Sequence, residues 1–187
     1  MDERRKEQAL EGYLVAAARL GDRGALERLV ALRSPRMMAH AVRLLGEVEG
    51  ARDVVQEAWV EIMRGLGGLR DVRAFQPWAL RIVSRRVARV IGGRVRERRL
   101  AAEYAQEAER VAEPMGEGAV DGARVRAALD ALPREQAATV ALFYLAEMSV
   151  AEVAMAMDVP VGTVKTRLMH ARARLRALLE GESDGQA

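Results

Sequence analysis

The sequence predicts an all-α protein: two small helical domains joined by a flexible linker, the second containing a helix-turn-helix. Three observations predict it. Apolar residues recur at helical spacing along nearly the whole chain. Good helix formers, Ala, Leu, Arg and Glu, dominate, and no stretch alternates polar with β-branched residues, so no sheet is expected. The charge falls into three blocks. Residues 1–99 hold 21 Lys and Arg against 13 Asp and Glu; residues 100–121 hold one Arg against six acids; residues 122–187 hold eight of each. A basic block, an acidic strip and a neutral block divide the chain into a first domain over 1–100, a connector over 101–121 and a second domain over 122–187.

The elements follow in order. A first helix covers about 8–20, with Leu10, Leu14 and Ala17 on one face, and Gly21-Asp22 ends it. A second covers about 22–33, turning Ala25, Leu26, Leu29 and Leu32 inward. Ser34-Pro35 breaks the chain, because proline lacks an N–H and restricts the residue before it. A third helix spans about 36–46 and stops at Gly46. A fourth covers about 50–65, with Val54, Val55, Ala58, Trp59 and Ile62 on its apolar face. Gly65-Leu-Gly-Gly68 gives a loop. A fifth helix runs from about Phe75 to Ile91 and ends before Gly92-Gly93. Pro114, Gly116 and Gly118 mark the connector as a linker. The second domain reads as helices over about 122–131, 134–146, 149–157 and 161–179.

Composition narrows the function. Half of the 187 residues are apolar and 30% are charged, enough to build a core. With no cysteine there are no disulfides, thiolate metal sites or cysteine nucleophiles, and with only His40 and His170 no multi-histidine metal site is expected. No cofactor is called for. No apolar run is long enough to span a membrane, and the polar start MDERRKEQ has no signal-peptide core, so the expected location is the cytoplasm, with no membrane insertion. Nucleotide-binding Gly-x-Gly-x-x-Gly and Gly-Lys-Ser/Thr motifs are missing, as are the hydrolase motifs Gly-x-Ser-x-Gly and His-Glu-x-x-His, and no enzyme is expected.

Two basic stripes point instead to a polyanion. Arg81, Arg85, Arg86, Arg89, Arg94, Arg96, Arg98 and Arg99 crowd the end of the first domain with only Glu97 opposing. Residues 163–176 carry Lys165, Arg167, Arg172, Arg174 and Arg176 and no acid. A lone basic stripe is commonly a solvated helix face; two in one short chain favour nucleic acid. The second lies in the strongest local signal. Ser149 and Glu152 form a capping box that starts a short helix, with Val150, Val153, Ala154 and Met157 toward a core. Asp158-Val159-Pro160 makes a tight turn, Pro160 suiting the first turn of the next helix. Val164, Leu168 and Leu175 give that helix an apolar seam, and Lys165, Thr166, Arg167, Met169, His170, Arg172 and Arg174 occupy its other faces. A major-groove recognition helix needs this chemistry: Thr and Met for thymine methyls, Lys and Arg for guanine and phosphate.

These residues resemble a known family. Ala128-Leu-Asp-Ala-Leu-Pro-Arg-Glu135, Met148-Ser-Val-Ala-Glu-Val-Ala154 and Val159-Pro-Val-Gly-Thr-Val-Lys-Thr-Arg-Leu168 are similar to the promoter-reading C-terminal region of extracytoplasmic-function (group IV) sigma factors of bacterial RNA polymerase. Gly21-Asp22 with Ala25-Leu26, Leu44-Leu45-Gly46, Asp53-Val-Val-Gln-Glu-Ala-Trp59, and Phe75-x-x-Trp78 with Arg81-Ile82 fall in the order of the same family's other conserved region. The likeness covers about 10–100 and 122–180. A helix-turn-helix alone is shared by many regulators; Asp-x-x-Gln-Glu, then Phe-x-x-Trp, a linker and this helix-turn-helix is specific.

The resemblance implies a promoter-specificity subunit. Its first domain docks on the clamp of the polymerase's largest subunit and opens the minus-10 element; its second reads the minus-35 element and touches the flap. The clamp surface maps onto Asp53, Gln56, Glu57, Val60 and Met63; the bland reading of Asp53, Gln56 and Glu57 is a polar helix face. Minus-10 contacts map to Arg70 and Arg73 in the loop at about 66–74 and to Arg81, Arg85, Arg86 and Arg89. Phe75 and Trp78 follow that loop, and core packing is the preferred role for both. Minus-35 contacts map to Lys165, Thr166, Arg167, Met169, His170, Arg172 and Arg174. The acidic linker is either a solvated spacer or a segment for a positively charged polymerase channel. Family members are often held by an anti-sigma partner. The sequence departs from the family pattern at Arg85, where Asn is frequent, and at Asp158, where Gly is usual and a left-handed turn is still tolerated. The rival is a stand-alone helix-turn-helix regulator, which explains the last block but leaves the Arg-rich helix idle.

Overall fold

A computed structural model describes residues 3–104, 128, 129 and 131–181. Every regular element among them is helical: α1 (Glu3–Arg19), α2 (Arg23–Leu45), α3 (Val48–Gly65), α4 (Phe75–Tyr104), α5 (Arg134–Val140), α6 (Val150–Met157) and α7 (Val161–Gly181). Two single 3-10 turns, Leu66–Gly68 and Val72–Ala74, join α3 to α4, and a π-helical turn, Ala141–Leu145, extends α5. The expected helix at 122–131 and the linker at 101–121 lie largely outside the described residues.

The chain punctuation works at Gly21-Asp22. Gly21 takes a φ of 94°, and the Asp22 carboxylate accepts from the Ala25 N–H at 3.0 Å, capping α2. It fails at Ser34-Pro35, which α2 passes straight through. A proline inside a helix deletes one backbone bond and costs about 3 kcal/mol. Packing on either side outweighs that: Leu29, Met37, His40 and Ala41 are all buried on one face of α2. The Ser34 hydroxyl also accepts from Trp59 Nε1 at 3.0 Å, tying the suspect turn to α3. Gly92-Gly93 does not stop α4 either. A glycine ends a helix by turning left-handed, and among the described glycines only Gly21 and Gly46 have positive φ.

The helices α1–α4 enclose a core centred on Leu14, Leu29, Met37, Ile62, Phe75 and Val83, each 1% exposed or less. Burying a side chain such as Phe75 or Ile62 contributes about 1.5–3 kcal/mol. Phe75 serves the core: its ring lies 6.5 Å from Trp59 and 6.0 Å from the half-buried Trp78. Arg33 is buried in the same bundle and meets Glu7 at 2.7 Å and the buried Glu11. Burial raises the Glu11 carboxyl above its ordinary value, against the pull of Arg33.

The helix-turn-helix sits on this bundle. Val153, Ala156, Met157, Val164 and Leu168 are buried and continuous with the first core. Helix α6 crosses α4 where both side chains are small. There the Ser84 hydroxyl donates to the Ala156 carbonyl at 2.7 Å, and His40 Nε2 lies 2.8 Å from the same hydroxyl. Since Ser84 spends its proton on the carbonyl, it accepts from the His40 ring. At the C-terminal end of α2, Arg134 donates to the Leu45 carbonyl. Gly46, at a φ of 80°, leaves space for that guanidinium; any side chain there would collide with it.

Candidate nucleic-acid interface

Helix α6 begins as the sequence requires. The Ser149 hydroxyl accepts from the Glu152 N–H at 3.3 Å, and the Glu152 carboxylate accepts from the Ser149 N–H at 2.7 Å. Asp158 closes α6 with a φ of 54° and a ψ of 46°, the left-handed conformation that Asp tolerates. Pro160 precedes α7, and its carbonyl accepts from the Thr163 and Val164 N–H groups. Val164, Leu168 and Ala171 are buried and hold α7 down, with Leu175 half-buried beyond them. The opposite faces carry the predicted contacts. Lys165, Thr166, Met169, His170, Arg172 and Arg174 are all exposed, Met169 by 58%.

Two predicted contacts are engaged inside the protein. Arg167 reaches back to Glu135 at the start of α5, and its side chain is only 18% exposed. Arg172 turns toward the π-helical turn, donating from Nε to the Tyr144 hydroxyl at 2.8 Å with its guanidinium 5.7 Å from the Tyr144 ring centre. The π turn creates this contact. Ala146 N–H bonds to the Ala141 carbonyl, five residues back, so Tyr144 and Leu145 swing outward to 50% and 65% exposure.

The first domain divides its arginines in the same way. Arg70 and Arg73 are exposed on the segment before α4, Arg73 bonded to Asp71. The Arg73 backbone N–H, then its side chain, holds the Asp71 carboxyl below its ordinary range. Arg86 lies inward, 19% exposed, and pairs with Glu57 and Glu61 of α3. Arg89 is exposed. Arg81 and Arg85, one turn apart, both donate to Asp158 at 2.7 and 2.8 Å. On α3, Asp53, Gln56, Glu57, Val60 and Met63 share one exposed face, with Val60 and Met63 41% and 48% exposed. Among the described residues no three His, Cys, Asp or Glu side chains gather as a metal site, and no helix is long and apolar enough to cross a membrane.

Comparison with known proteins fits both halves. Family models match residues 29–108 as "Sigma-70 region 2" and residues 122–175 as "Sigma-70, region 4". The ECF RNA polymerase sigma factor SigM of Mycobacterium tuberculosis is 33% identical over 171 residues, spanning 90% of this chain and 84% of its own. The chain belongs to the ECF RNA polymerase sigma factors. The RNA polymerase sigma-H factor of Pseudomonas aeruginosa is 28% identical over 187 residues, covering 92% of this chain and 95% of its own. Among solved structures, CnrH in complex with the cytosolic domain of CnrY has a TM-score of 0.61 at 27% identity, covering 92% of this chain and 98% of that one. RpoE of Bartonella quintana, in complex with the anti-sigma factor NepR, has a TM-score of 0.65 at 22% identity, covering 83% and 96%. That last likeness is one of fold.

The stand-alone regulator is therefore not favoured: this is a sigma factor, matched in both of its regions. Sequence reasoning missed several groups in its interface, among them three, Glu135, Tyr144 and Asp158, that each take a guanidinium predicted to face DNA. Nothing in the local pattern marks Glu135 or Tyr144, because each lies about thirty residues from its partner. Asp158 did carry a signal, an acid at a left-handed position that glycine fills without strain.

Proposed function

We propose that this sigma factor works as two promoter readers mounted on core RNA polymerase. Residues 1–100 dock through Asp53, Gln56, Glu57, Val60 and Met63 on the clamp of the largest subunit, and engage the minus-10 element with Arg70, Arg73, Arg81, Arg85 and Arg89. Residues 122–187 touch the flap and read the minus-35 element with Lys165, Thr166, Met169, His170 and Arg174 of α7. Arg81, Arg85, Arg86, Arg167 and Arg172 join the DNA contacts only by leaving their present partners. The protein has no catalytic role of its own and acts in the cytoplasm, where an anti-sigma partner is a further candidate ligand.

The observation that carries this reading is the face of α7. Exposed cations, a hydroxyl and a thioether line it without an acid, while Val164, Leu168 and Ala171 fix its back to the domain. Such a helix can enter a groove without unfolding its support. Opening the minus-10 duplex costs a few kcal/mol for each unstacked base. With seven aromatics in the chain, and Phe75 and Trp59 buried, stacking can offset little of this. Melting then relies on backbone cations and on polymerase. The test is capture of core polymerase by the purified protein, followed by run-off transcription on genomic fragments. Polymerase that starts at a subset of promoters only with this protein present is the expected result. Failure to associate with polymerase refutes the proposal.

A further inference from the structure

The strongest unexplained feature is an acid that joins the two halves. Asp158 uses both carboxylate oxygens on the first domain: Oδ1 accepts from Arg81 Nε at 2.7 Å and Oδ2 from Arg85 Nε at 2.8 Å. The two arginines stand four apart on α4, on one face, so a single carboxylate can take both. Those bonds hold the Asp158 carboxyl below its ordinary range, the bond from Arg85 most of all. The backbone gives a second clue. Residue 158 sits at φ 54°, where a side chain is strained. Among the described residues Glu147 shares this region at φ 50°, and Gly21 and Gly46 take it after α1 and after α2. At 158 the two ion pairs of the carboxylate offset that strain. Among the described residues, a neutral hydrogen bond from Ser84 to Ala156 also links α6 to α4.

We propose that Asp158 is an intramolecular latch: its carboxylate closes the helix-turn-helix over α4 and stands in for DNA phosphate on Arg81 and Arg85. The masking half rests on the assignment of these two arginines to the minus-10 element. Guanidinium binds carboxylate and phosphate through the same forked geometry, so the latch and the DNA backbone compete for the same donors. Span requires the latch to open. The two promoter elements lie about 25 base pairs apart, or about 85 Å along B-form DNA. A single packed body of this length is about 40 Å across. The closed protein therefore cannot hold both elements, and Asp158 keeps the minus-10 arginines occupied until the halves part.

The test uses the full chain, whose lack of cysteine allows two clean label positions, Glu27→Cys and Ala173→Cys, both exposed and outside the latch. Asp158→Asn and Asp158→Gly both suit a left-handed turn, so neither endangers the fold. Single-molecule energy transfer reads the ratio of open to closed molecules. Both variants raise that ratio about three- to tenfold, as expected for two partly exposed ion pairs, and added salt opens the parent chain but hardly changes the variants. In parallel, a single-stranded oligonucleotide is titrated into the free protein. The variants bind it about threefold or more tightly, and Arg81→Ala with Arg85→Ala removes the gain. An unchanged ratio in both variants overturns the latch, whatever the DNA does. Opening without any gain in binding, or a gain that survives the double Arg variant, overturns the masking and the assignment of these arginines to DNA, and leaves the closing contact standing.

Discussion

Replacing His40 by Gln should remove most of one acid-sensitive step in this protein's stability. His40 lies buried between α2 and α4 with its ring against Ser84. Burial, and then the nearby Arg43 cation, lowers its pKa from 6.5 to about 4. Protons therefore bind the unfolded chain before the folded one as the pH falls. The stability contributed by the neutral ring is complete above about pH 6.5 and is lost through the window down to about pH 4. The full loss is about 3 kcal/mol, and about 2 kcal/mol of it is gone near pH 5. Gln keeps a donor for the Ser84 hydroxyl and does not titrate. Denaturant unfolding of both proteins at several pH values from about 7.5 to 4.5 gives the difference directly. Taking the difference cancels the other groups: Asp71 and Asp158, with lowered pKa values, lose stability on acidification, whereas Glu11, with a raised one, acts the other way. The parent should lose about 2 kcal/mol more than the variant by pH 5. Parallel curves would refute the buried neutral imidazole.

Further predictions rest on single contacts. Arg33→Ala strands Glu11 in the core and should cost about 3–5 kcal/mol in chemical denaturation, most of it recovered when Glu11→Leu is added. Ser149→Ala removes the hydroxyl that caps α6; a loss of about 1 kcal/mol is expected by thermal unfolding, without loss of polymerase binding. Lys165→Ala should weaken minus-35 DNA about equally across sequences and reduce the slope of affinity against salt by about one, whereas a loss confined to particular base substitutions would make Lys165 a base reader.

Much of the architecture was written locally. Gly21-Asp22, Gly46 and the Ser149–Glu152 box end or begin helices through short-range hydrogen bonds, and each does so in the structure. Pro35 misleads because its cost of about 3 kcal/mol is less than the packing of α2 around it, and Gly92-Gly93 because each glycine costs only about 1 kcal/mol and neither turns left-handed. The apolar seam of α7 and its exposed stripe were legible from period alone. The engagement of Arg167 with Glu135 and of Arg172 with Tyr144 was not, since the second pair depends on a π turn that no residue in Ala141–Leu145 announces. The meeting of α4 with α6 was also hidden. It needs Ser84 and Ala156, small residues about seventy apart, to face one another, and composition treats them as ordinary helix formers.

Helix α6 lies between two bodies at once. Its side facing α7 must fit one neighbour and its side facing α4 another, so of its eight residues only Ala151 and Met155 are left looking outward. Substitution should be tolerated chiefly at those two sites. A bulkier residue at Ala156 would pry the bundle apart while leaving the hairpin itself intact, so the spacing between the halves is set by the size of one methyl group.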